Sequence, residues 1–556
     1  MGGNLAIEGG TDVVVVGSGG AGLAAALTAA QEGARVTVLE RTSLVGGSTA
    51  VSGGGIWVPG NHHMLAAGFD DSREEAIAYC GRLVAGKMPD DLVEAFVDSA
   101  REMIRYLEAN TSLRFRPMSW PDYHPEMEGA KPSGRMLEST LFASTSLGEW
   151  AERVRTGPVL AMPITLEEQS VTWRLGYTPE KLDRQMVRER SAAGLVTMGR
   201  ALISGLLEAC LSRGVRVLTQ ARATGLVRGS SGAVAGVRYS SGDADSYGVV
   251  ARELGAPAVV LASGGYEWDR ELTRSFLPGP LTHPTTPPFG TGDGLRMAME
   301  AGAGLANMSE AWWYPASNVP DDSYEGLPLN RFVATERTAP HCILVNRSGR
   351  RFVDEAANYN DMMKAFFDFD PVAYRLRNLP CWSVMDDQYR RRYSIASARP
   401  GRPDPEWLIN AQSLQELANR IGVDPRGLET TVERFNEFAR GGRDPEFGRG
   451  DSYYDRFHGD PEAPHPNLGT IEVAPFYALE VHPGCVGTKG GPVTDARARV
   501  LDTRGEVIPG LFAAGNVAAS PAGPAYFGGG CSIAMALTWG YLAGATAART
   551  FRQTAL

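Results

Sequence analysis

The stretch Asp12-Val13-Val14-Val15-Val16-Gly17-Ser18-Gly19-Gly20-Ala21-Gly22 decides the fold. Four consecutive valines read as a strand buried on both faces. The alanine-rich run after the glycines reads as a helix. Gly17 allows a tight turn out of the strand. Gly19 lets the backbone approach a pyrophosphate, and Gly22 lets helix and strand pack closely. Ser18, Gly20 and Ala21 complete the turn, where the helix N-terminus presents N–H groups and partial positive charge to phosphates. Residues Arg35 to Glu40 read as the next strand. Its terminal carboxylate, Glu40, is placed to accept hydrogen bonds from ribose hydroxyls, with Arg41 beside it. Strand, glycine turn, helix, strand and acid in this order predict a dinucleotide site; the alternative is a glycine-rich structural turn.

The next segment selects the dinucleotide. Gly46-Gly47-Ser48-Thr49 is followed by Ser52-Gly53-Gly54-Gly55-Ile56-Trp57. A nicotinamide enzyme needs no second glycine cluster directly after the ribose-binding acid. FAD does, because its ribityl chain and ring run extended through the domain against close backbone. Ala262 and Gly264 end a further buried strand that begins at Ala258, and Gly292-Asp293-Gly294 opens a helix. Near the C-terminus, Gly510-Leu511-Phe512-Ala513-Ala514-Gly515-Asn516 reads as a strand and turn. Gly528-Gly529-Gly530 then leads into an apolar run from Ser532 and Ile533 to Ala547. That helix would direct its N-terminus at the flavin pyrimidine edge and stabilise negative charge there.

With 556 residues, 43% hydrophobic and 21% charged, the chain can bury at least two cores. A formal net charge of -10 leaves no nucleic-acid footprint. Six cysteines lack paired spacing and read as reduced thiols, not as a disulfide or zinc framework. A basic segment before the first apolar run is lacking, so no signal peptide is expected and the location reads as cytoplasmic. The C-terminal apolar run is expected to be interrupted at Thr538, Trp539 and Gly540 and to span no membrane. No metal site is expected; His62-His63 reads as a surface pair without a partner at metal spacing.

These signals predict an α/β fold: a Rossmann-like FAD-binding domain, discontinuous in sequence, with an inserted α+β catalytic cap. Residues 1–320 form its first part, with a helical insertion around 62–195, residues 321–485 the cap, and residues 486–556 the return.

The sequence resembles the bacterial 3-ketosteroid Δ1-dehydrogenases, within the fumarate reductase/succinate dehydrogenase flavoprotein superfamily, nearly from end to end. The superfamily motifs are the first glycine turn, Gly264-Gly265, Thr291-Gly292-Asp293-Gly294 and Ala514-Gly515-Asn516. More specific are the second glycine cluster, Asp122-Tyr123-His124-Pro125-Glu126, Ala311-Trp312-Trp313, and Arg351-Phe352-Val353-Asp354-Glu355. Pro475-Phe476-Tyr477-Ala478 and Gly487-Thr488-Lys489-Gly490-Gly491 complete the set. The resemblance implies a 1,2-desaturation of steroid ring A, with an external quinone-like or dye electron acceptor. It places the chemistry on Tyr123, Tyr359, Tyr526 and Gly530. Tyr526 O–H and Gly530 N–H would hold an enolate oxygen. Tyr359 would take the carbon-2 proton, with Tyr123 sharing its charge, because an isolated phenol titrates near 10. The flavin N5 would accept hydride from carbon 1. Each tyrosine has the alternative of a packing role.

Two departures from the family pattern bear on regiochemistry. Tyr526-Phe527-Gly528-Gly529-Gly530 replaces a proline-containing run, and the extra glycines are expected to loosen the loop that presents the amide. Pro483-Gly484-Cys485-Val486-Gly487 replaces another motif. Ser48 stands before Thr49 where relatives with covalent flavin carry histidine, so FAD is expected to be non-covalent. Glu336-Arg337 reads as an internal ion pair, with substrate carboxylate binding as the alternative. Trp312-Trp313-Tyr314 reads as core, with a substrate wall as the alternative, and His283-Pro284-Thr285 as loop. Residues 150–195 interleave arginines with apolar residues, among them Leu160, Met162, Trp173, Leu175 and Tyr177; they read as a solvated face or as a peripheral membrane contact. A 4(5)-dehydrogenase and an enoate or dicarboxylate reductase are the competing activities, and a flavin-binding protein without catalysis is the competing class.

Overall fold

The structure is a computed structural model that describes residues 10–159, 161–242 and 250–554. Its first sheet places the strand Val13–Val16 between Val36–Leu39 and Ala258–Leu261. Arg216–Leu218 extends one side in parallel, and Val507–Ala513 the other. The short strand Arg499–Leu501 closes the edge in antiparallel fashion. Every residue of the three inner strands is buried, as helix layers on both faces require. Chain segments almost 500 residues apart thus share one sheet, and the discontinuous nucleotide-binding fold is observed.

One face of this sheet carries the helix Gly20–Gln31, which packs along the C-terminal helix Cys531–Thr554. Small residues permit the contact. A Cβ on Gly540 would lie 2.3 Å from the Ala21 carbonyl oxygen, and one on Gly544 would lie 2.3 Å from that of Ala25. The helix runs through Thr538, Trp539 and Gly540, the residues expected to interrupt its apolar character. By length and composition its Cys531–Thr550 portion is apolar enough to cross a membrane, yet most of it is buried inside this protein.

A second sheet is antiparallel throughout, ordered Leu327–Phe332, Ala311–Tyr324, Phe476–Thr488, Cys381–Met385 and Cys342–Asn346. Its two faces bury separate cores, one around Trp313, Leu344 and Tyr389, the other around Ile343, Leu417 and Phe435. The segment between the sheets supplies helices, among them Arg73–Val84 and the amphipathic Asp90–Asn110. All six cysteines are buried and unbridged.

Candidate active site

A continuous cavity of about 800 Å³ runs from the first glycine turn to the second sheet. Its floor is backbone. Gly17 has φ +108°, and a Cβ there would meet the Ala262 oxygen at 2.4 Å; a Cβ on Gly22 would meet the Gly17 oxygen at 2.0 Å. Side chains at either position would close the turn. Of the expected cofactor residues, Gly17, Ser18, Gly19, Gly20, Ala21, Glu40, Arg41, Gly47, Ser48, Thr49, Ser52, Gly53, Gly54, Ala262, Gly264, Asp293, Gly515, Asn516, Ser532 and Ile533 line the cavity. Gly22, Gly46 and Gly292 lie behind the wall and shape it. Gly46 and Gly292 adopt left-handed backbone at the start of helices.

Glu40 does more than the sequence suggests. Its Oε2 accepts from the Ser18 hydroxyl at 2.6 Å, and its Oε1 from the Thr42 amide at 2.8 Å. The acid thus ties the two turns together, and a carboxylate keeps further acceptor capacity for a ligand hydroxyl. Asp293 receives a bidentate pair from Arg222 and lies 3.3 Å from Arg41, whose guanidinium also donates to Thr291. A long cavity with a glycine floor, hydroxyl-bearing walls and a buried acid at one end fits FAD.

At the other end lie the phenols. Tyr123 stands on a loop fixed by its neighbours. Asp122 accepts from the Trp57 indole and from Arg135, each at 2.7 Å, and pairs as an isolated bridge with Gly528. The Phe527 carbonyl accepts from the Tyr79 hydroxyl at 2.7 Å and the Tyr123 amide at 3.1 Å. The loop of Tyr123 is therefore pinned to the turn between Tyr526 and Gly530. Tyr359 begins a short helix, Tyr359–Met362, capped by Asn358. Two residues on, Asp361 accepts from His124 at 2.8 Å, so an ion pair joins the tyrosine loops.

Tyr123 donates a hydrogen bond to the Tyr359 oxygen. Tyr526 lies with its ring 5.0 Å from Tyr123 and 5.7 Å from Tyr359, and its hydroxyl lies 3.4 Å from that of Ser532. Burial pushes the phenols up: Tyr123 and Tyr359 well above 10, Tyr526 to about 12. The bond from Tyr123 works the other way on Tyr359 and favours charge on its oxygen. The three tyrosines and Gly530 are brought together on one cavity wall.

Several expectations change. The three glycines before the C-terminal helix do not loosen their loop. A Cβ on Gly528 would meet the Trp57 ring at 2.5 Å, one on Gly529 the Met136 sulfur at 2.7 Å, and one on Gly530 the Gly55 backbone at 2.3 Å. Close packing, not flexibility, demands them. Glu336 and Arg337 do not pair; Glu336 accepts from the amides of Ala334 and Ala396, while Arg337 donates to the carbonyls of Glu355 and Ala357. His62 and His63 share a partner, Glu108, at 2.8 Å each. The indole of Trp312 packs on Tyr526 and bonds to Asn516, whereas Tyr314 joins the cavity wall. His283-Pro284-Thr285 is a loop, as expected.

Sequence reasoning missed Phe332, Tyr454 and Lys489, and it put core before substrate wall for Tyr314. Phe332 stacks on Tyr314 at 3.6 Å and meets Tyr359 edge-on. Tyr454 lies 5.3 Å from Tyr123. Lys489, wholly buried, donates to the Ala525 carbonyl and sits 4.2 Å above the Trp312 ring. Only Lys489 left a signal, as a cation within a glycine-rich motif. Residues 174–177 of the arginine-rich segment form cavity wall; Val159, which also lines the cavity, and Met162 are exposed, and Leu160 lies outside the described residues.

Comparison with known proteins agrees with this geometry. The family model described as "FAD binding domain" matches residues 12–533. The 4-oxocyclohexanecarboxylate 2-dehydrogenase of Sinomonas cyclohexanicum is 41% identical, over 97% of this chain and 92% of its own length. The 3-oxosteroid 1-dehydrogenase of Mycolicibacterium smegmatis is 37% identical over 97% of each chain. Among solved structures, 3-ketosteroid Δ1-dehydrogenase from Sterolibacterium denitrificans, in complex with 1,4-androstadiene-3,17-dione, superposes with TM-score 0.88 at 32% identity, covering 97% of this chain and 99% of that one. The chain is a flavoprotein oxidoreductase that uses FAD, and it belongs to the FAD-binding-domain family that includes the 3-oxosteroid 1-dehydrogenases.

Proposed function

We propose that this enzyme introduces a carbon–carbon double bond between the carbons α and β to a ring ketone, the reaction of a 3-ketosteroid 1-dehydrogenase. The observation that carries this reading is the phenol cluster, with Tyr123 donating to Tyr359 beside Tyr526 and Gly530, at the end of the glycine-floored cavity. Tyr526 O–H and Gly530 N–H hold the ketone oxygen and stabilise the charge that develops on it. The Tyr359 oxygen removes the α proton, while the bond from Tyr123 favours its charge. FAD, bound without a covalent link because Ser48 offers no imidazole, supplies the hydride acceptor for the β carbon. The proton and the hydride together leave one double bond.

The printed names of the relatives carry two substrate classes, 3-oxosteroids and 4-oxocyclohexanecarboxylate. Both present a ring ketone with removable hydrogens on the adjacent carbons. The reading includes an external electron acceptor and a cytoplasmic location, with exposed Val159 and Met162 as the point of any peripheral membrane contact. A dicarboxylate reductase fits less well, because phenols and not arginines crowd the reacting end. The test is anaerobic titration of the yellow protein with a panel of ring ketones. Bleaching of the flavin with formation of a conjugated enone is expected. A bleached flavin with a product unsaturated elsewhere would overturn the regiochemistry.

A further inference from the structure

Five arginines line the cavity, and their counter-ions divide them. Arg41 lies by Asp293, Arg155 pairs with Glu325, and Arg331 with Asp322. Arg174 and Arg337 have no carboxylate within ion-pairing distance among the described residues. Arg337 is 2% exposed. Its Nη1 donates to the Glu355 and Ala357 carbonyls, yet its Nε is buried without a partner. Arg174 donates to the Phe457 carbonyl and lies over that ring. The neighbouring carboxyl, Glu336, is occupied by two backbone amides, and burial pushes its pKa up.

Two further polar atoms complete this end. The Nε1 of Trp120 and the Nε2 of His458 are buried without partners, both residues line the cavity, and their rings lie 5.1 Å apart. Burial, together with the charges of Arg337 and Arg174, pushes His458 down to about 3, so the imidazole is neutral and its free Nε2 can exchange a hydrogen bond with a ligand. A buried guanidinium without a counter-ion is costly, and buried donors are ordinarily paired. In a cavity wall the missing partner is the ligand.

The phenols are close by. Arg337 lies over Phe332 at 5.8 Å, and Phe332 meets Tyr359 at 5.4 Å. Tyr454 lies between Tyr123 and His458, 5.3 and 4.4 Å from them. One ring therefore separates the cationic end from the reacting end. We propose that Arg337, supported by Arg174, anchors an anionic group of the substrate, and that the preferred substrate is a cyclic ketone bearing a carboxylate across the ring from the carbonyl. This rests on the α,β-dehydrogenation proposed above. A wholly apolar polycyclic ketone would enclose Arg337 and leave it unpaired.

Three ketones test this with the FAD-loaded enzyme: 4-oxocyclohexanecarboxylate, its neutral methyl ester, and androst-4-ene-3,17-dione. The keto acid is expected to half-saturate flavin reduction at a concentration about 100-fold below that of the ester, as for a buried charge pair. Arg337→Gln should collapse this acid-to-ester ratio, and Arg337→Lys should restore part of it. Cyclohexanecarboxylate, which has no ketone, separates the two proposals. It should perturb the flavin spectrum of the wild type on binding, and Arg174→Gln should weaken that binding. If the ester or steroid is preferred, or Arg337→Gln lowers acid and ester alike, the anchor is refuted and Arg337 is a brace for the loop before Tyr359. If cyclohexanecarboxylate binds but no ketone bleaches the flavin, the anchor stands and the dehydrogenation reading falls.

Discussion

A phenol enclosed among other phenols holds its proton tightly, and Tyr359 is such a phenol. Burial and the neighbouring Tyr526, Tyr454 and Tyr314 all raise it, and only the bond from Tyr123 works against them. The proposed base is therefore protonated at neutral pH in the resting enzyme. The rate of flavin reduction should rise with pH, by about 10-fold per unit between pH 7 and 9, because the deprotonated fraction does. A flat stopped-flow profile over that range would assign proton removal to another group. Tyr359→Phe should abolish reduction while leaving ligand binding intact. Tyr123→Phe should be milder, since it only tunes its neighbour. If Tyr123→Phe proves the more damaged variant, the roles are exchanged. Tyr526→Phe removes one donor from the proposed ketone-oxygen site and should cost about 100-fold in turnover, or about 3 kcal/mol, at unchanged FAD content. Near-normal turnover would place the carbonyl elsewhere. The three tyrosines and Gly530 stand in motifs and were legible for that reason. Phe332 and Tyr454 were not, and Tyr314 was read first as core, because an aromatic residue at a sheet edge or loop reads alike whether it faces a core or a cavity.

The loop that carries Tyr359 hangs from a buried ionic knot. Arg351 donates to both Glu355 oxygens and to Asp444, each at 2.7 Å, and Arg449 reaches the same glutamate at 3.2 Å. Burial opposes the charge of Glu355, but the two arginines outweigh it and hold the carboxyl below its ordinary value. Removing one partner leaves a buried charge uncompensated, so Glu355→Ala should lose about 3–5 kcal/mol of stability, read by chemical denaturation. An effect below 1 kcal/mol would show that water or a shifted side chain replaces the carboxylate. The motif Arg351-Phe352-Val353-Asp354-Glu355 was visible in the sequence, and its work as a knot was not, because Asp444 and Arg449 lie about 90 residues away. The strands and glycine turns were legible for the opposite reason: their chemistry is local. Four buried valines and a positive-φ glycine need no distant partner to be understood. Gly528 and Gly529 were misread because what excludes a side chain there is Trp57 and Met136, remote in the chain.

The molecule as a whole should release its FAD on acid or heat denaturation, since Ser48 cannot form a link to the flavin ring. Yellow colour that stays with the polypeptide would refute this. Lys489 ties stability to pH. Burial lowers it from 10.5 to about 8. Between these values the unfolded chain binds the proton and the folded chain does not, so the cost of burying the charge is full below pH 8 and fades towards pH 10.5. Wild type should therefore gain on Lys489→Met by up to roughly 3 kcal/mol across that window in denaturation curves taken at each pH. A constant difference would mean that the amine is neutral throughout or charged throughout. The shared first sheet has a consequence in time. The strand Val13–Val16 is made almost 500 residues before its neighbour's partner, Val507–Ala513. During synthesis at about 5–20 residues per second, the early glycine turn waits tens of seconds for the strand and the helix that complete its cavity. Through that interval the nascent chain has the phosphate-facing half of a cofactor site and no place for the ring. The ribosome, by delivering that strand and helix, sets the moment at which the enzyme becomes yellow.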